Sequence, residues 1–359
     1  MRVAGGRPDG GLPASLERSV SFSSTVQREL VHRWGLSEVF MTDIHRVGDG
    51  RYIAGAQWPR LHTFYHPLPR VYDSALIVES LRQATILTAH SMEGVPLGQV
   101  FLLPEMAVHA LDGHSRDPGT PTNVHISIEI DVLQRTPRGP AKLHVRARFY
   151  VNGNCIARGT AGARMVEPST YARMRLGSET GGSPRPTVPL RPEQVGHRHS
   201  GHVVIGEGTD GGTWPLHVDE TNPIMFDHPL DHVPGVLLVE GVRQALRAET
   251  RMPDLDFVSF DASFLKIVEL SDNPEVSICL GKSHHGRTQA TAEIRVDAEV
   301  CMVVRCEFEP RAESSDRALD PGYLRGPASG THPVSTLAPV RAAGSTTCPQ
   351  SARAHPRVP

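Results

Sequence analysis

The chain has few cysteines, no surplus of either charge and no long apolar run. Its five cysteines, Cys155, Cys279, Cys301, Cys306 and Cys348, are scattered without a CxxC pair, and no secretory apolar core stands at the N-terminus. A reduced, cytoplasmic protein is expected. Lys and Arg number 37 against 39 Asp and Glu, so the sequence shows no electrostatic footprint for nucleic acid or an anionic membrane. Nowhere do about eighteen consecutive apolar residues occur, which argues against a membrane-spanning helix. There is no GxSxG elbow and no HExxH zinc motif. His197, His199 and His202 form an HxHxxH run without a carboxylate or cysteine frame, and are expected in solvated linker. Cys301 and Cys306 are an odd number of positions apart and should face opposite sides of a strand. The Gly206–Gly212 run opens no helix and reads as hairpin turns rather than a phosphate loop. Trp58 and Trp214 read as packing residues, not a base-stacking platform.

What is present is a repetition. HPLPRVYDSALIVESLRQA at His66–Ala84 returns as HPLDHVPGVLLVEGVRQA at His228–Ala245. A length of 359 residues suits two such units plus tails. We expect a flexible segment over 1–25, one repeat over 26–166, a Pro/Gly/Ser-rich linker over 167–200, a second repeat over 201–311 and a disordered tail over 312–359.

The same order of patterns runs through both repeats. Glu38–Ile44 with a Gly48-Asp49-Gly50 turn corresponds to His202–Glu207 with Asp210-Gly211-Gly212. The segment around Leu76–Met92 is apolar on nearly every side, so its helix should be wrapped rather than laid on a surface. The wrapping is legible downstream, where Val124, Ile126, Ile128, Ile130 and Val132 alternate with polar residues at period two. Leu143 to Val151 alternate likewise and end in Asn152-Gly153, a tight hairpin signal. Ala290 to Val296 and Val300 to Phe308 make the matching hairpin around Asp297-Ala298. The fold class is therefore α+β, a double hotdog in which each long helix is enclosed by antiparallel sheet and the chain forms its own pseudo-dimer. Helices starting near Ala75 and Val236 should lie side by side.

Glu79 and Glu240 sit in the middle of these helices, where an unpaired carboxylate is expensive. Arg82 and Arg243 follow three positions later and share a helical face with them. A structural ion pair is one reading. A functional carboxylate, raised in pKa by burial, is the other, and the choice of an almost wholly apolar helix favours it. Acyl transfer to an alcohol needs such a base and donors for an oxyanion, and the amides near Gly235 and Val236 at a helix start would suit the second task. The first repeat has Asp73-Ser74 where the second has Pro234-Gly235, which points to the second as the working pocket. Arg82 and Arg243 are alternatively phosphate contacts.

The second copy, with FDHP, PGVLLVE and RQA, resembles hotdog β-hydroxyacyl carrier-protein dehydratases. The doubled form, with RELVHR at Arg28–Arg33 and GAQWPRLHTFYHP at Gly55–Pro67, resembles more closely the A-factor biosynthesis (AfsA-type) hotdog proteins of actinomycetes, over about residues 26–310. That resemblance implies transfer of a β-ketoacyl chain from acyl carrier protein to the hydroxyl of dihydroxyacetone phosphate, on the way to γ-butyrolactone, butenolide or furan signals. It implies no cofactor beyond the carrier's phosphopantetheine, no metal, and no nucleic-acid or membrane partner, in a pseudo-dimeric monomer or a higher homo-oligomer. Two other activities stay open: a hotdog dehydratase or thioesterase, and a non-catalytic acyl-binding regulator. In dehydratase dimers the His of one subunit faces the Glu of the other, which would set His66 beside Glu240 and His228 beside Glu79.

Overall fold

The computed structural model describes residues 11–65, 72–111, 120–137, 139–176, 185–209, 212–284 and 286–310. After a short helix α1 (Ala14–Glu17), the first repeat runs β1 (Met41–Gly48), β2 (Arg51–Trp58), α2 (Ser74–Ser91), β3 (Val100–Ala110), β4 (Thr122–Thr136), β5 (Gly139–Val151) and β6 (Asn154–Val166). Helix α3 (Pro168–Met174) leads to the second: β7 (Thr213–Pro215), α4 (Gly235–Thr250), β8 (Leu255–Phe264), β9 (Pro274–His284), β10 (Arg287–Val296) and β11 (Glu299–Pro310). All strands join one antiparallel sheet in the order β1-β2-β4-β5-β6-β3-β8-β11-β10-β9-β7.

The repeats meet at the centre of that sheet, where β3 pairs with β8 through Met106↔Ala262 and Val108↔Phe260. Read outward from this seam, β3, β6, β5, β4 and β2 match β8, β11, β10, β9 and β7 in turn. The double hotdog and its intrachain pseudo-dimer follow from this symmetry. Among the described residues strand β1 has no counterpart. The stretch His202–Glu207, expected to match it, forms a 3-10 turn over Ser200–His202 and only isolated bridges, among them Ile205↔Leu216.

Local chemistry explains the elements. Asn152 and Gly153 adopt φ of 49° and 75°, the left-handed pair that a two-residue hairpin between β5 and β6 needs. Val124, Ile126 and Ile128 of β4 are fully buried against the helices while their alternates are not. Helix α2 is buried along nearly its whole length, and the hydroxyls of Thr85 and Thr88 meet that burial by donating to Leu81 O and Ala84 O at 2.8 and 2.7 Å. Gly241 would be a costly helix residue in the open. Here a Cβ would come within 2.3 Å of Leu216 Cδ2, so the glycine lets α4 press against the chain that leaves β7. Trp58 is buried, with its indole donating to Ser80 Oγ at 2.8 Å.

The stretch read as a linker is not solvated throughout. Its second half carries a 3-10 turn, Pro192–Val195, and buries Leu190, Val195 and His197. Its Pro/Gly content hid a few apolar anchors that dock it on α4. The expected tail over 312–359 lies outside the described residues. Among the described residues no helix is long and apolar enough to cross a membrane.

Candidate functional site

The two helices build nearly the same polar cluster twice. In α2 the Gln83 amide donates to Glu79 Oε1 at 2.6 Å and to Glu38 O at 2.7 Å, and its oxygen accepts from Phe40 N at 3.0 Å. In α4 Gln244 donates to Glu240 Oε1 and His202 O, both at 2.9 Å, and accepts from Val204 N at 2.9 Å. Each Gln thus clips the chain ahead of its repeat to the helix and orients the neighbouring Glu. Arg82 and Arg243 hold the other carboxylate oxygen, Arg82 Nε at 3.0 Å and Arg243 Nε at 2.8 Å from Oε2. The Glu-x-x-Arg-Gln reading of one shared face is met in both repeats.

A third partner was not read from the sequence. Arg33 Nη2 lies 2.8 Å from Glu79 Oε1, and His197 Nε2 lies 3.0 Å from Glu240 Oε1. Both follow equivalent 3-10 turns, Arg28–Val31 and Pro192–Val195, each closed by a left-handed residue, His32 at φ 52° and Gly196 at φ 73°. RELVHR therefore has its counterpart in PEQVGH at Pro192–His197. The HxHxxH run is not solvated linker: His197 and His202 are buried, His197 against the Phe64 ring at 5.2 Å. An apolar Val195 two and seven positions before these histidines was the available signal.

Each site is completed by the other repeat. Arg33 also pairs with Asp227 at 3.3 Å and donates to Ile224 O at 3.2 Å, so the second repeat's approach segment covers Glu79. Phe64 of the first repeat covers His197 and His202. The expected His228–Glu79 contact is not made: His228 Nδ1 sits 2.6 Å from Asp227 Oδ1 and the ring stacks on Trp34, because the adjacent carboxylate captures it first. His66 lies outside the described residues.

The second site differs around its arginine. Arg243, 2% exposed, contacts Glu240, Asp73 at 2.6 Å and Asp256 at 3.3 Å. Its donors are spent on three carboxylates, and a phosphate brought there would meet them as well. The phosphate-binding reading of Arg243 is thus not supported by its surroundings. Arg82 keeps 16% of its side chain exposed. Arg247, also buried, donates to Leu255 O and Val195 O at 2.8 and 2.9 Å, and burial followed by the nearby Arg243 lowers its pKa to about 10.

The helix starts are unlike too. At α2 the Asp73 carboxylate accepts from Ala75 N at 2.9 Å, while Asp256 takes Ser74 N at 3.0 Å and Ser74 Oγ at 2.5 Å. At α4 Pro234 offers no side-chain cap, and among the described residues the amides of Gly235 and Val236 meet no protein acceptor. Between the two starts lies a cavity of ≈ 20 Å³, walled by Phe64, Tyr65 and Val78 on one side and Val236, Glu240 and Arg243 on the other. It has room for about one water-sized group.

Burial pushes the Glu79 carboxyl up, but the guanidiniums of Arg33 and Arg82 outweigh it and bring its pKa down to about 2. At Glu240 burial again raises, and Arg243 with the His197 hydrogen bond holds the carboxyl well below the usual range. Neither glutamate is the burial-raised acid expected from the sequence, because beside its helix arginine each has a partner that the sequence did not reveal, Arg33 or His197. The Tyr65 phenol is pushed far up by burial and by Glu79.

The family model described as the A-factor biosynthesis hotdog domain matches residues 15–167 and 179–320. A 2-oxo-3-(phosphooxy)propyl 3-oxoalkanoate synthase of Streptomyces virginiae is 36% identical over 229 residues, 63% of this chain and 77% of that protein. Proteins of the same name from Streptomyces griseus and Streptomyces coelicolor are 33% and 32% identical, over 60% and 61% of this chain and 73% and 71% of theirs. Two matches to one domain model, one on each repeat of a pseudo-symmetric sheet, make the chain a member of the A-factor biosynthesis hotdog family.

Proposed function

We propose that the protein is an acyltransferase that esterifies dihydroxyacetone phosphate with a 3-oxoacyl group, making a precursor of butyrolactone-type signalling molecules. The ester in the relatives' name has dihydroxyacetone phosphate as its alcohol half and a 3-oxoalkanoate as its acid half. In this reading the acyl group arrives as a thioester on acyl carrier protein. One observation of this chain supports the second repeat as the working site: Glu240 and Val236, in the first turn of α4, line the same cavity, and that helix start has no side-chain cap.

The reaction then balances within that site. The substrate hydroxyl gives its proton to Glu240 as its oxygen attacks the thioester carbonyl carbon. The amides of Gly235 and Val236 donate to the oxygen that becomes negative. The C–S bond breaks, and the thiolate leaves with the proton returned by Glu240. Arg243 holds Glu240 rather than the substrate. Val78 lines the cavity one turn before Arg82, which makes Arg82 the helix arginine within reach of the phosphate. Phe64, Tyr65 and Met225 must part for an acyl chain to enter so small a cavity.

The test is a mass-spectrometric assay of a defined 3-oxoacyl carrier-protein thioester with and without dihydroxyacetone phosphate. The phosphorylated ester should form only with the alcohol present, and Glu240→Gln should lower turnover by roughly 10²–10⁴-fold while the protein stays folded. Free acid or an enoyl product irrespective of the alcohol would replace this reading with a thioesterase or dehydratase. Binding without any product would leave a regulator.

A further inference from the structure

Two glutamates at equivalent helix positions, with the same Gln and the same Arg, differ in one contact: Arg33 on Glu79, His197 on Glu240. A guanidinium stays charged at any working pH, whereas an imidazole keeps its N–H donor when it loses its charge. We propose that His197 is a positioning residue that sets the proton affinity of Glu240, and that this substitution confines proton transfer to the second repeat. The inference rests on the acyl-transfer reading.

The electrostatics of each cluster support the distinction. Glu79 faces two permanent cations, Arg33 and Arg82, so taking a proton would leave Arg33 to Asp227 and deprive Arg82 of its carboxylate. Glu240 contacts one guanidinium, Arg243, that is already divided among Asp73 and Asp256, while a second, Arg247, acts on it only through space and is bound to Leu255 O and Val195 O. Its remaining partner beside Gln244, His197, is wholly buried with Nε2 on Glu240 Oε1. A neutral imidazole with hydrogen on Nε2 donates to that oxygen whether Glu240 is a carboxylate or a carboxylic acid. The hydrogen bond therefore survives the step in which the substrate proton rests on Glu240. An arginine in its place would favour the charged form alone.

Several other groups face His197. On α4 they are Glu240, Arg243 and Arg247; on its own segment His202 lies 5.7 Å away ring to ring and His199 lies next to that ring. From the first repeat, the Phe64 ring packs on it. Burial, and then His197 and His199, lower the pKa of His202 to about 4, so His202 is neutral where the enzyme works.

Two substitutions separate a neutral donor from a fixed cation. His197→Gln keeps a neutral N–H donor, and His197→Arg copies the first repeat into the second. Turnover, KM, thermal midpoint and the pH dependence of kcat are measured on both, with the exposed His199→Gln as a control expected to behave as the parent. We expect His197→Gln to retain kcat within about tenfold. His197→Arg should lose roughly 10²-fold or more in kcat with little change in KM and a thermal midpoint no lower than that of His197→Gln. Equal kcat in the two variants would overturn the proposal, as would a kcat that falls in both only with the folded fraction. If the parent protein makes no ester from a 3-oxoacyl thioester and dihydroxyacetone phosphate, the acyl-transfer reading has failed and this proposal goes with it; an active parent with an active His197→Arg sinks the proposal alone.

Discussion

Glu79 and Glu240 occupy the same turn of equivalent helices and carry the same Arg and Gln, yet the chain closes one site and leaves the other open. Around Glu79 the helix start is capped by Asp73 and Asp256, two arginines grip the carboxylate, and Asp227 completes the ion-pair chain. Around Glu240 the helix start has no side-chain cap, one partner is an imidazole, and a cavity reaches the carboxylate. The capping carboxylates of the closed site are also what steady Arg243 of the open one. Duplication therefore gave two copies with linked fates: the first acts as a brace against which the second can hold a buried charge without filling its own helix end.

The sharpest way to break this comparison is to remove each carboxylate in turn. Glu240→Gln should cost roughly 10²–10⁴-fold in turnover per folded molecule, and Glu79→Gln should leave turnover per folded molecule close to normal. The second change instead leaves Arg33 and Arg82 short of a buried counter-charge, and should cost on the order of 3 kcal/mol in denaturant unfolding. A turnover loss confined to Glu79→Gln would mean that the working site is in the first repeat.

A second test exports the closed end. Pro234→Asp supplies α4 with the cap that Asp73 gives α2, in a backbone position already extended at φ −64° and ψ 139°. Stability should rise by about 1 kcal/mol, while kcat should fall by roughly 10²-fold because the new carboxylate takes the amides meant for the oxyanion. A more stable variant with unchanged kcat would remove the helix amides from the mechanism.

Acid separates the copies by sign. The folded pKa of Glu79, about 2, lies below its ordinary 4.5. A depressed carboxyl stabilises fully above the unfolded value and loses that contribution as pH falls through the folded one. Urea unfolding of the parent should therefore weaken between about pH 4.5 and 2 by roughly 3 kcal/mol more than that of Glu79→Gln, which has no carboxyl to titrate there. Parallel curves for the two proteins would show that the pair contributes no pH-dependent stability.

Much of the fold was legible because its signals are local. Period-two alternation marked β4, β5, β10 and β11, Asn152-Gly153 marked a turn, and the Glu-x-x-Arg-Gln spacing put three polar groups on one face of each helix. The partners that decide the chemistry were not local. Arg33 lies 46 positions from Glu79, and His197 lies 43 from Glu240 in Pro- and Gly-rich text that carries no periodicity. Only the match of RELVHR with PEQVGH, with a histidine where a glycine recurs at the left-handed position, could have aligned them. His228 failed for a physical reason as well: a carboxylate one residue away outcompetes one across the pocket. The pKa expectation failed with it, since burial and the helix arginines were visible and the remote partners Arg33 and His197 were not.

The smallest expected difference lies where the copies agree. Gln83 and Gln244 are both fully buried, each donates to its Glu and to a carbonyl ahead of its repeat, and each accepts from a backbone amide two residues beyond that carbonyl. Replacing either by Leu keeps the volume and strands a buried amide and a carbonyl, at about 1–3 kcal/mol. Because the bonds lost are the same, the two costs in chemical denaturation should differ by less than about 0.5 kcal/mol. Turnover should separate them, since Gln244 orients Glu240 and Gln83 orients its closed counterpart. Unequal stability costs would mean that the repeats differ in packing beyond their polar contacts, and equal turnover losses would return the first site to the mechanism.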